Sequence, residues 1–195
     1  MISKARLDAL TDGVFAVAMT LLVLDLRLPD SFEPKDGSEL LHRLFEVAHP
    51  AIIYALSFYV LALRWVSMVR IAPRGESVSD EYIKWAMLHL LLVTFVPFTT
   101  MTVGRYATLA PAAWLYAGNT ILFALVSLRM MTLVDHTHDL AVMIEHRLGL
   151  FMLIAASVLA IVMSVIVPKW AMLAYLVNLL DGPLRMFLRR RERKH

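Results

Sequence analysis

Asp12, Arg64 and His89 are ionisable side chains set among long runs of apolar residues, and Asp25 closes one such run. Charge inside an apolar run has few uses. It can lock two helices together, serve as a proton or substrate site, or line a path for ions. Arg6, Arg64, His89 and the Trp65 indole N–H are the candidate partners for Asp12. Arg6 stands six residues away, which is not a same-face helical spacing, so a partner from another helix is favoured. A second concentration of ligating groups is "HTHD" at 136–139, followed by Glu145 and His146. His136 and His138, two residues apart, suit an extended ligand pair for zinc or nickel. No fixed motif spacing supports a metal site there, and interfacial polar residues or a pH-sensitive pair account for them equally. Cysteine is absent, which excludes disulfides, thiolate metal sites and a cysteine nucleophile. No phosphate loop, H-E-x-x-H or nucleophile–base arrangement occurs, so neither an enzyme nor a cofactor is expected.

The elements that must position these groups follow from composition. The 195 residues are 59% hydrophobic and only 18% charged, with a mean hydropathy of +0.68. That pattern belongs to an all-α polytopic membrane protein. Six apolar segments, at about 9–28, 50–71, 82–104, 112–134, 148–167 and 170–188, each approach the ~20 residues a span needs. The first is expected to stay as a helix, since Asp8 and Asp12 disagree with a cleaved signal peptide. "LPDSFEPKDGSE" (28–39) and "APRGESVSD" (72–80) read as loops, Arg105 to Pro111 as a short turn, and "VPKW" (167–170) as a tight turn. "DHTHDLAVMIEHR" (135–147) reads as a polar linker able to form a short amphipathic helix. Pro97 should kink the third helix, with Thr94, Thr99, Thr100 and Thr102 available to freed carbonyls or neighbouring helices.

Lysine and arginine set the orientation. With six spans both ends share one side, which holds thirteen of the nineteen basic residues, against five on the other side and Arg64 within a span. Both termini are therefore placed in the cytoplasm. The basic tail 189–195 suits contact with anionic lipid rather than nucleic acid. On a helical wheel of the first segment, Gly13, Val17, Leu21, Leu24 and Leu28 share one face, extended by Leu10, while Asp12 points nearly the other way with Met19 and Val23. Aliphatic stripes of this kind are usually packing surfaces or lipid contacts.

"RLDALTD" (6–12) resembles the Arg-x-x-x-Phe-Ser-Asp pattern that opens the first helix in the lysosomal and endosomal potassium channel family and its bacterial relatives. Arg6 and Asp12 match, while Leu10 and Thr11 replace Phe and Ser. "GVFAVAMTLLVLDLRLP", "SFYVLALRW" (57–65), "LLVTFVPFTT" (91–100) and "LYAGN" (115–119) extend the resemblance in order along most of the chain. Met68 and His89 stand where relatives often carry His and Asn. The resemblance implies a six-helix, single-repeat subunit of a homotetramer in the bacterial inner membrane, conducting potassium, with the first helix lining the pore. It also implies that the constriction lies five, nine and twelve residues after the motif aspartate, at Val17, Leu21 and Leu24. These are three of the residues that share one face of the wheel.

Without a Thr-Val-Gly-Tyr-Gly filter, carbonyl replacement of hydration is not expected. Rings of Val17, Leu21 and Leu24 would form a hydrophobic neck that gates by dewetting and favours potassium modestly, because potassium holds its water less tightly than sodium. Thr20 could offer a hydroxyl to a passing ion. Asp25 either forms an acidic ring at the mouth or is a solvated carboxylate paired with Arg27 or a loop residue. Two alternatives stand beside the channel: a proton-coupled secondary transporter using Asp12, and a non-conducting scaffold.

Overall fold

The first helix starts earlier than hydropathy suggests, because its polar opening turns are held from outside the apolar run. In the computed structural model, which describes residues 3–28, 32–73, 75–134 and 140–180, α1 covers Lys4–Leu21. Its first turns carry a Lys4–Asp8 ion pair at i,i+4. The backbone of Ser3 pairs with Ser77, and the Lys4 amide donates to Glu76 O at 2.9 Å. The helix then tightens into a 3₁₀ turn over Leu22–Asp25. Leu28, expected on the same wheel, therefore falls beyond the helical residues.

Helix α2 covers Gly37–Ile71, 35 residues, and begins well before the expected span at about 50. Asp36 caps it by accepting from Glu39 N at 2.8 Å, and the Glu39 carboxylate accepts from Lys35 N at 2.8 Å. The capping signal was present in the sequence. Glu39, His42, Arg43, Glu46 and His49 hid the opening turns from a hydropathy reading. At 1.5 Å per residue the helix is about 52 Å long, more than the ~30 Å of hydrocarbon it has to cross.

Helix α3 covers Asp80–Arg105, with Ser79 Oγ accepting from Tyr82 N at 3.2 Å. Its acidic first turn and the Arg105 in its last turn both complement the helix dipole. Helix α4 covers Ala110–Thr132 and opens on Pro111, where a missing N–H costs nothing. Helix α5 covers Leu140–Ile166. It absorbs residues 140–147 of the expected polar linker, so Glu145 and His146 are buried in the bundle rather than lying in a loop. Pro168–Leu180 follows as a 3₁₀ helix of 13 residues. The rest of the expected sixth span and the basic tail lie outside the described residues, as do His136 and His138. Among the described residues, five helices are long and apolar enough to cross a membrane.

Helix α4 packs between α3 and α5, α1 packs on α3, and the final segment packs on α5. Small side chains permit this closeness: Ala117, Ala124 and Ala160 are fully buried. Polar links cross the same seams. Ser57 Oγ donates to Tyr116 OH at 3.1 Å, Tyr175 OH donates to Ser157 Oγ at 2.9 Å, and the two tyrosine rings meet edge-on at 5.0 Å. Trp114 Nε1 donates to Ser164 Oγ at 2.9 Å. Near Pro97, Thr99 Oγ1 donates to Val96 O at 3.0 Å, Thr94 Oγ1 to Leu91 O at 2.8 Å and Thr102 Oγ1 to Phe98 O at 2.8 Å. These three threonines bond within their own helix rather than to neighbours. At the exposed edge Arg129 pairs with Glu81 at 2.6 Å. Because Ala124 is fully buried in the α4 seam, Ala124→Leu should overpack it and cost about 1–3 kcal/mol. A lowered melting temperature in detergent with retained helical circular dichroism is the expected result.

Candidate functional site

Helix α1 presents three surfaces with different surroundings. Leu7, Thr11, Phe15, Ala18 and Leu22 recur at helical spacing and are all buried within the subunit. They seat α1 against the rest of the bundle. Asp12 lies off this stripe, and its Oδ1 accepts from Trp65 Nε1 at 2.8 Å. Of the candidate partners, the structure therefore selects the indole on α2. Arg6 is exposed and, among the described residues, forms no ion pair.

The third surface is the aliphatic one. Val17, Leu21 and Leu24 are 57%, 44% and 65% exposed, and Leu10 is exposed beside them. Among the described residues, no helix of the same subunit covers this stripe. Gly13, on the same side, has no heavy atom within 4 Å of where a Cβ would stand. The 3₁₀ turn that follows Leu21 keeps Leu24 on this side, because residues three apart come close to eclipsing in that geometry. Thr20 flanks it. Its hydroxyl donates back to Ala16 O at 3.0 Å and Val17 O at 2.9 Å, so its oxygen lone pairs are what remain for an outside partner.

Asp25 closes the stripe and is held. Arg105 donates to its Oδ1 from Nε at 3.1 Å and from an Nη at 2.9 Å. Arg105 is the last residue of α3 rather than part of a loop, and it takes the place that Arg27 was a candidate for. Sequence reasoning counted Arg105 only toward orientation and the short turn, and left Asp25 to Arg27 or an unnamed loop residue. The signal available was a basic residue closing the third apolar run, where a helix C-terminus favours positive charge.

The remaining polar candidates fall into two groups on either side of Met68 and Tyr82. A cleft of about 140 Å³ opens along α1 and is lined by Lys4, Asp8, Thr11, Asp12 and Trp65. Deeper in the bundle, Arg64 and His89 line a cavity of about 20 Å³ with Ser127 and His146. His89 is not a partner of Asp12. Its ring lies between Phe15 of α1, 6.0 Å away, and Phe123 of α4, 4.4 Å away. His146 Nδ1 meets Ser67 Oγ. Among the described residues no group of three or more His, Cys, Asp or Glu could hold a metal.

The family described as endosomal/lysosomal potassium channel TMEM175 matches residues 6–97, from the motif arginine to Pro97. A potassium channel of Chamaesiphon minutus is 33% identical over 64% of this chain and 63% of its own length. A potassium channel of Streptomyces collinus is 31% identical over 54% of this chain and 50% of its own. The chain thus spans between half and two-thirds of the length of these relatives. A crystal structure of a lysosomal potassium-selective channel TMEM175 homolog from Chamaesiphon minutus superposes with a TM-score of 0.77 at 27% identity, covering 93% of this chain and 97% of that one. The chain is a relative of the endosomal/lysosomal potassium channel TMEM175 family.

Proposed function

We propose that this chain is the subunit of a potassium-permeable, modestly selective cation channel in the bacterial inner membrane, assembled as a homotetramer with both termini in the cytoplasm. One observation carries the reading: Val17, Leu21 and Leu24 form an aliphatic stripe that the described residues of the subunit leave uncovered, on a helix whose other surfaces are fixed. Four such stripes around an axis make a hydrophobic neck. Water leaves a narrow apolar neck readily, so the closed state is a dewetted one. In the open state a cation crosses partly dehydrated, and potassium, with its looser hydration, crosses more easily than sodium. The Thr20 oxygen flanks the same path and supplies a polar contact next to the Val17 ring.

Asp25 takes a restrained part in this reading. Its pairing with Arg105 compensates the carboxylate, so the mouth attracts cations less than an unpaired acidic ring would. The transporter reading based on Asp12 lacks support: the named relatives are potassium channels, and the carboxylate serves the α1–α2 contact with Trp65.

Three outcomes are expected. Protein reconstituted in liposomes should pass potassium down its gradient, and Val17→Ser or Leu21→Ser should raise flux and lower the potassium-to-sodium ratio. A verified tetramer without flux would overturn the channel reading. Arg105→Gln should unmask the Asp25 carboxylates and raise single-channel cation conductance at low ionic strength, with the gain fading as salt screens it over ~10 Å at 0.1 M. Trp65→Phe keeps the ring but loses the donor to Asp12. It should lower the melting temperature in detergent and disturb flux together, whereas unchanged values for both would mean that the Asp12 contact does not set α1.

A further inference from the structure

Two cavities of about 20 Å³ each lie inside the subunit, on either side of Arg64 and Phe123, which line both. His89, which lines the first, and Asn119, which lines the second, each carry a buried polar atom without a protein hydrogen-bond partner, Nδ1 and Oδ1 respectively. His89 is 3% exposed and Asn119 6%, so bulk water does not reach either side chain freely. Orphaned buried acceptors are costly, and native interiors satisfy them with protein or with ordered water. A polar cavity needs room for about one 1.4 Å probe, roughly 10–15 Å³, to hold a water molecule. Both cavities meet that requirement.

We infer that each subunit holds two structural water molecules, one in each cavity, flanking the Arg64 guanidinium. Donors and acceptors balance. Ser127 Oγ already donates to Phe123 O at 2.8 Å, and Thr120 Oγ1 to Tyr116 O at 2.8 Å, so both hydroxyl oxygens act as acceptors toward the cavities. The first water donates to His89 Nδ1 and Ser127 Oγ and accepts from an Arg64 N–H. The second donates to Asn119 Oδ1 and Thr120 Oγ1 and accepts from another Arg64 N–H. Three bonds each is the usual complement of a buried water. Asn119 keeps its amide group for Leu92 O at 3.2 Å, next to the carbonyl of Val93 that Pro97 leaves without its helical donor. The first water also fixes the plane of the His89 ring on which Phe15 of α1 rests. The two waters therefore form part of the seat of α1.

Two measurements on the purified protein in detergent test this. An experimental density map that resolves waters elsewhere inside the bundle should show one peak within hydrogen-bond distance of His89 Nδ1 and one near Asn119 Oδ1. Empty density at both positions would overturn the inference. Melting temperatures give an independent reading through their sign. With the waters present, His89→Leu strips a partner from a bound water and should lower the melting temperature by about 2–4 °C or more. A dry cavity predicts the opposite, since an apolar side chain would then remove an orphaned polar atom and raise it. Ser127→Ala, a minimal change, should give a smaller fall if the water is present and no fall if the cavity is dry.

Discussion

The hydrogen bond from the Trp65 indole to the Asp12 carboxylate fixes how α1 is turned about its own axis. A carboxylate near a membrane interior cannot be left facing hydrocarbon, so its partner decides which side of the helix looks inward. Once Asp12 faces α2, the stripe of Leu7, Thr11, Phe15 and Ala18 faces the bundle and the Val17 stripe faces away from both. The two hydrogen bonds from Arg105 to one oxygen of Asp25 repeat the constraint at the far end. Two polar contacts, one at the middle of α1 and one just beyond its end, thus hold a short helix whose aliphatic side is left largely exposed among the described residues.

Much of this was legible in the sequence because the strong signals are local. The first five apolar runs, the loop at 72–80 and the turn at Arg105–Pro111 follow from hydropathy and from Pro, Gly and Ser placement, and the structure keeps helices and connections there, whereas three residues of "VPKW" open the final 3₁₀ helix and the sixth run is described only to Leu180. The wheel of α1 was legible because its residues follow one another at regular spacing. The start of α2 was not. Its first turns carry Glu39, His42, Arg43 and Glu46, and hydropathy cannot distinguish a polar helix from a loop, although the Asp36 cap was there to be read.

The polar contacts were legible only as a list of candidates. Asp12 had four possible partners, and the choice of Trp65 rests on how α1 and α2 cross, which no spacing along the chain reveals. Arg64 and His89 were grouped with Asp12 because all three are ionisable and lie within spans. The structure separates them, because His89 is wedged between Phe15 and Phe123 and Arg64 lies on the inner side of α2. His146 looked like a companion of the histidines at 136 and 138, but α5 carries it into the core, where Ser67 meets it. Long-range contacts of this kind, between residues such as Ser67 and His146, depend on tertiary packing rather than on pattern.

The pairing of Ser3 with Ser77 has a mechanical consequence. It ties the chain just before α1 to the connection between α2 and α3 through backbone groups, independently of side-chain identity. At that end α1 cannot swivel or slide alone: any torque applied to it is transmitted to the α2–α3 connection, and any displacement of that connection is handed back. The start of the helix therefore behaves as a hinge clamped to its frame, while its far end is tied to α3 only through the Asp25 carboxylate and Arg105, a side-chain contact rather than a backbone one.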